Sequence, residues 1–160
     1  MKYLLLLLSF FAIKCINFQA QEGTEQQLLQ INLQEGAYDD VNTFEGTLVK
    51  DLIPGTVKIP FWFTKREQEI ILTKAEDINF FSFPDTLQPE PNVVVTPNLG
   101  PEVIRLKIRD KDKTVVSFYP VEDKYKKYID SFTQLKDLIN DIVESKPEYK
   151  ALPPRKGGYQ

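Results

Sequence analysis

The sequence contains no histidine, and it has a single cysteine, a single methionine and a single tryptophan among its 160 residues. Without an imidazole, Ser/His/Asp and Cys/His nucleophilic catalysis and the common histidine-ligated zinc, copper and iron sites lack the residue they depend on. Positive charge is sparse as well, since 20 lysines and arginines stand against 23 acids for a formal charge of −3, with no basic stripe. Phosphate backbones are held by concentrated positive charge, so nucleic acid is excluded as the main partner. The only adjacent glycines, Gly157 and Gly158, lie near the C-terminus and not before a helix, so the pattern of a phosphate-binding loop is missing. Asp39 with Asp40, and Asp110 with Asp112, lack the ligand spacing and distal glutamate of a calcium loop and read as turn-forming aspartates. No metal and no cofactor is expected.

Apolar residues are ample at 42%, enough at this length to build a core without disulfides or metals. The N-terminus reads as a signal peptide over residues 1–20: Lys2 supplies the positive start, an apolar stretch runs from Leu4 to Ile13, and Ala20 is the small residue before a cleavage point at Gln21. That stretch is too short to span a bilayer, which takes about 20 residues. Cys15 has two readings, a residue discarded with the signal or the lipid-modified first residue of a bacterial lipoprotein, although Ile13 and Lys14 before it are not the small residues such sites prefer. A cysteine-free chain after cleavage fits a bacterial periplasmic or secreted protein better than a small eukaryotic extracellular domain, which is normally stapled by disulfides.

Residues 21–27 are polar and without period, so they read as a flexible tether, and residues 28–160 as one α+β domain. Alternation at Leu29, Ile31 and Leu33 predicts a first strand. Phe44, Gly46 and Leu48 predict a second. After a turn with Pro54 and Gly55, the positions Val57, Ile59, Phe61 and Phe63 predict a third, with Pro60 confined to an edge or bulge. Ile104, Leu106 and Ile108, then Val116 and Phe118 across a reversal at Asp110 to Lys113, predict a hairpin, and Val93 to Val95 a short edge strand within a proline-rich loop. The expected fold is an antiparallel sheet of five or six strands with two helices packed on one face.

The first of those helices has Thr64 and Glu67 in the spacing of a capping box and an apolar face at Ile70, Ile71, Ala75 and Ile78. Phe80, Phe81 and Phe83 should plug the gap between it and the sheet. The second helix has the same box at Ser131 and Gln134 and a stripe of Phe132, Leu135, Leu138, Ile139, Ile142 and Val143, with Leu138 and Ile142 expected in the helix-to-sheet core.

The strings FEGTLVKD (44–51), PFWFTKRE (60–67), INFFSFPD (78–85) and EYKALPPRKGGY (148–159) resemble those of small exported, lipoprotein-like bacterial proteins to which no function is assigned. The resemblance implies export and implies no activity. A carboxylate pair can cleave a glycosidic bond without histidine, yet no particular pair stands out among the acids. The expected function is therefore non-enzymatic binding of a protein or other envelope component in the periplasm or outside the cell, with membrane contact only through the signal or a lipid on Cys15. The alternative is a lipid-tethered structural or assembly component. Trp62 is the leading contact residue, since Phe61 and Phe63 should take the core side, with Lys58 beside it. Tyr159 joins them if the C-terminal tail is an exposed peptide rather than packed down after Tyr149.

Overall fold

The computed structural model describes residues 28–35, 39–52, 55–91 and 100–154; the signal segment, Cys15, residues 93–95 and Tyr159 lie outside them. In chain order the elements are β1 (Gln30–Glu35), β2 (Asp40–Asn42), β3 (Thr47–Asp51), β4 (Thr56–Pro60), α1 (Lys65–Asp77), β5 (Thr86–Leu87), β6 (Glu102–Ile108), β7 (Lys111–Ser117), α2 (Lys126–Ser145) and α3 (Pro147–Lys150). The strands form one sheet in the order β4-β3-β2-β1-β6-β7-β5.

The fold is α+β, with two corrections to the expected sheet. Among the described residues it has seven strands instead of five or six, and it is mixed, because β5 runs parallel to β7. The additional strands are short ones. Asp40–Asn42 and Thr86–Leu87 are too brief for alternation to show, and the residues read as the start of a strand at Phe44 form instead the turn that joins β2 to β3.

Register explains the core. Leu33 pairs with Val41, Val41 with Leu48, and Leu48 with Ile59 on one side of β1, while Leu33 pairs with Ile104 and Ile104 with Val115 on the other. Residues paired across strands share a face, so this row, with Ile31 and Leu106 beside it, presents a continuous apolar surface. Ile71 and Ala75 of α1 and Phe132, Leu135, Ile139 and Val143 of α2 join those strand residues in one buried cluster. The helices therefore lie on one face, as predicted, and Phe80 and Phe83 fill the exit of α1.

The α1 cap is the predicted one: the Thr64 hydroxyl accepts from the Glu67 amide and the Glu67 carboxylate accepts from the Thr64 amide at 2.7 Å. The box predicted at Ser131 and Gln134 does not form, because α2 already begins at Lys126 and both residues are inside it; Gln134 instead accepts from Lys74 of α1 at 2.7 Å. Leu138 and Ile142 are only half-buried, and Ile70 of α1 is exposed. The apolar stripe on α2 is wider than its contact, and its centre line is Phe132, Leu135, Ile139 and Val143. The hairpin reverses at Arg109 and Asp110, tighter than predicted, with Arg109 at φ 53°. On β7 it is Val115 and Ser117 that are buried, not Val116 and Phe118, because Val115 pairs with Ile104 of the core row.

Polar ties fix where α2 lies. Lys136 reaches Glu102 at 2.6 Å and Glu35 at 3.6 Å, and Asn140 donates to Glu35 at 2.8 Å. Burial works against the Lys136 charge, and the two carboxylates outweigh it, so its pKa is raised.

Candidate functional site

With both long helices on one face, the other face of the sheet carries no helix among the described residues. Its central row runs Pro60, Thr47, Asn42, Asn32, Arg105 and Thr114 across β4 to β7. These side chains are polar apart from Pro60, as expected for the solvated side of a sheet.

Trp62 stands at the β4 end of that face. Alternation continues beyond Pro60, so Phe61 and Phe63 turn inward at 1% and 4% exposure while Trp62 turns outward at 52%. The chain is held there by the Phe61 amide, which donates to the Gly46 carbonyl at 2.9 Å. Gly46 has φ 68°, and a Cβ at that position would lie 2.5 Å from the indole Cζ2. The indole therefore rests directly on the glycine backbone, with its opposite side open to solvent.

The turn beneath it is built by short polar side chains. Asn42 Oδ1 accepts from the Phe44 amide at 3.1 Å and the Glu45 amide at 3.3 Å, a local bridge that asparagine forms readily. Thr43 is buried, its hydroxyl accepting from the Ile31 amide at 2.7 Å. That turn projects Phe44 towards β6, where the Arg105 guanidinium sits 4.3 Å from the ring centroid. Arg105 is pinned in turn by a forked pair to Asp112, at 2.9 Å from Nε and 2.7 Å from Nη2. The fork raises the Arg105 pKa and lowers that of Asp112.

Lys58 lies on the same face and pairs with Glu45 at 3.5 Å, both side chains exposed. Of the sequence-predicted contact residues, Trp62 and Lys58 thus flank one turn, while Tyr159 and Cys15 fall outside the described residues. Tyr149 is half-buried and packed, its ring 4.2 Å from Lys50 Nζ and its hydroxyl donating to Asp39 at 3.3 Å. Sequence reasoning missed Phe44, Gly46 and Arg105. Phe44 and Gly46 read as part of a strand, and nothing in the residues around Arg105 points to its place.

The aspartates read as turn-formers have more specific places. Asp39 Oδ1 accepts from the Asp51 amide at 3.0 Å, and Asp40 lies in β2, accepting from Asn32 Nδ2 at 2.7 Å. Partial burial pushes the Asp40 carboxyl above its ordinary 3.8, against the opposing pull of the Asn32 amide. The folded state therefore holds this proton to higher pH than the unfolded chain. Stability falls as pH rises from the unfolded to the folded value, and the penalty is complete above it. Asp40→Asn should accordingly stabilise the protein at pH 7, by less than about 1 kcal/mol at so accessible a site. The gain should vanish near pH 3, about a unit below the unfolded value. Urea midpoints at the two pH values check this, and an equal gain at both would mean that ionisation of Asp40 is not its cause.

A small cavity lies on the helix side, lined by Glu35, Asp39, Asn140, Glu144 and Tyr149 among others, with a volume of about 30 Å³. A single water needs roughly 10 to 15 Å³, so the space suits water and not an organic substrate. Among the described residues no group of three or more histidine, cysteine or acidic side chains is arranged to hold a metal, and no helix is long and apolar enough to cross a membrane. A scan against protein-family models and a search of curated proteins return no match for this chain.

Proposed function

We propose that this is an exported, non-enzymatic binding protein of the bacterial envelope or its surroundings, and that its contact surface is the Trp62 end of the open sheet face. The observation that carries the reading is the seat of Trp62: the chain's only tryptophan is half-exposed and laid on a glycine that leaves it no room to sink. A large aromatic held rigid at the surface loses little conformational freedom on contact, which is why tryptophan and arginine recur as anchors in interfaces. Arg105, stacked on Phe44 and forked to Asp112, supplies a second rigid group on the same face. Export is supported by Lys2, the apolar stretch to Ile13 and Ala20. Binding in preference to catalysis is supported by the missing imidazole.

The single tryptophan makes the test direct. Emission from the purified chain should be red and sensitive to an aqueous quencher. Immobilised chain should retain a component of an envelope extract that Trp62→Ala releases, while Tyr119→Ala, at a residue 80% exposed outside this row, retains it. A blue, quencher-immune emission, or equal retention by both variants, defeats the reading.

A further inference from the structure

We infer that the open face takes a neutral glycan, a reading that rests on the binding function proposed above and names its ligand class. Three observations converge on it. The first is charge. On this face Lys58 is matched with Glu45 and, towards β6, Arg105 with Asp112, while the Asp40 carboxyl accepts from Asn32 and is pushed by partial burial towards its neutral form. Among the described residues the face therefore offers a charged ligand few unmatched groups. A polyanion gains little from a surface whose cations are paired.

The second is the chemistry of the row. From β4 to β6 it runs Pro60, Thr47, Asn42, Asn32 and Arg105, and beyond the bonds made within the protein this leaves the Thr47 hydroxyl, Asn42 Nδ2, Asn32 Oδ1 and Arg105 Nη1 to meet a ligand. Four strand spacings separate β4 from β6, about 19 Å, long enough for several pyranose rings. Sugar hydroxyls both donate and accept, which suits amide and hydroxyl side chains. The apolar C–H face of a pyranose suits the exposed side of an indole, whose ring face carries partial negative charge.

The third observation removes the commonest alternative for a sheet with an open edge, an extended peptide added as another strand. The Leu52 amide donates to the Gly55 carbonyl at 2.9 Å and the Phe61 amide to the Gly46 carbonyl at 2.9 Å. In an antiparallel ladder these bonds recur at every second residue, so Val57 and Ile59 face β3 while Thr56, Lys58 and Pro60 face outward. Pro60 has no amide hydrogen and Lys58 is charged, the two devices by which natural edges refuse another strand. Strand addition at the β4 edge, the one beside Trp62, is thereby disfavoured, so recognition at that end falls to side chains.

The test uses the purified chain with soluble dextran, xyloglucan, mannan and laminarin as neutral probes and alginate as the acidic control. Retardation in polysaccharide-containing native gels and protection of Trp62 emission from quenching are the readouts. At least one neutral probe should retard the chain and protect the indole, with affinity little changed between low and high salt. Trp62→Ala should weaken it by at least about tenfold, and Trp62→Phe, which keeps an aromatic platform, should recover part of the loss. Binding to alginate alone, lost at high salt, would overturn the neutral class. Failure of every glycan while the Trp62-dependent retention from envelope extract persists would overturn the glycan reading and leave the binding function intact; loss of both would end both.

Discussion

Truncating Ile139 to alanine should destabilise the protein by about 2 to 5 kcal/mol, whereas the same truncation at its neighbour Leu138 should cost less than about 1.5 kcal/mol. Ile139 has no exposed surface and sits in the cluster that joins α2 to the sheet; Leu138 is half-buried and outside it. Removing a buried side chain forfeits its transfer free energy and leaves a cavity that rigid neighbours fill only in part. A half-exposed leucine has less to forfeit and leaves a dent that water can enter. Urea unfolding of the two variants gives both values, with an unchanged slope expected because the surface exposed on unfolding barely alters. Comparable losses would mean that α2 is rotated about its axis from the orientation described. The Lys136 bridge to Glu35 and Glu102 argues for that orientation independently, since it fixes which side of the helix faces the sheet end.

Gly46→Ala should cost about 1 to 2 kcal/mol and, unlike any comparable change elsewhere, alter the emission of Trp62. Two effects are superposed. The backbone at φ 68° lies where a residue with a Cβ pays a penalty of about 1 to 2 kcal/mol. The new methyl would also stand 2.5 Å from the indole, well inside contact distance. Because the outer side of the ring is free, the indole can lift away at little energetic cost, so the steric effect should appear in the spectrum more than in the stability. Gly55→Ala separates the two: its φ is 101° and nothing lies within 4 Å of the added carbon. It should therefore destabilise through the backbone alone and leave the emission untouched. If both alanines leave the spectrum unchanged, Trp62 is not seated on Gly46, and the rigidity on which its role as an anchor depends is lost. Partner retention should fall with Gly46→Ala and hold with Gly55→Ala.

These two substitutions mark the boundary between what was legible in the chain and what was not. The inward turn of Phe61 and Phe63, the outward turn of Trp62, the edge position of Pro60 and the reciprocal Thr64–Glu67 cap were all readable from the sequence. Each is decided within a few residues: strand alternation sets the side of every side chain once one is known, proline cannot donate to a ladder, and a capping box closes inside one helical turn. The α+β class followed from the same local signals, as did burial of Leu29, Ile31 and Leu33 in the core.

The tertiary structure decided everything that depends on which distant segments meet. The two-residue β5 has no periodicity to detect, and it exists because β7 lies alongside it in parallel. The stripe on α2 names six apolar residues, of which only Phe132, Leu135, Ile139 and Val143 are buried, so contact and not hydrophobicity selects Ile139 over Leu138. The box at Ser131 and Gln134 matched its pattern and lost to five further residues of helix N-terminal to it, since a pattern of polar spacing stabilises a helix start only where a helix in fact starts. Gly46 under Trp62, and Arg105 on Phe44, bring together residues whose own neighbourhoods say nothing of one another. The sequence by itself thus determined the direction of each side chain relative to its own strand or helix, because that is a property of local geometry. Only the register of the paired strands determined what each side chain met, because closing the long loops between them yields its free energy through the packing of the whole sheet and not through any one segment.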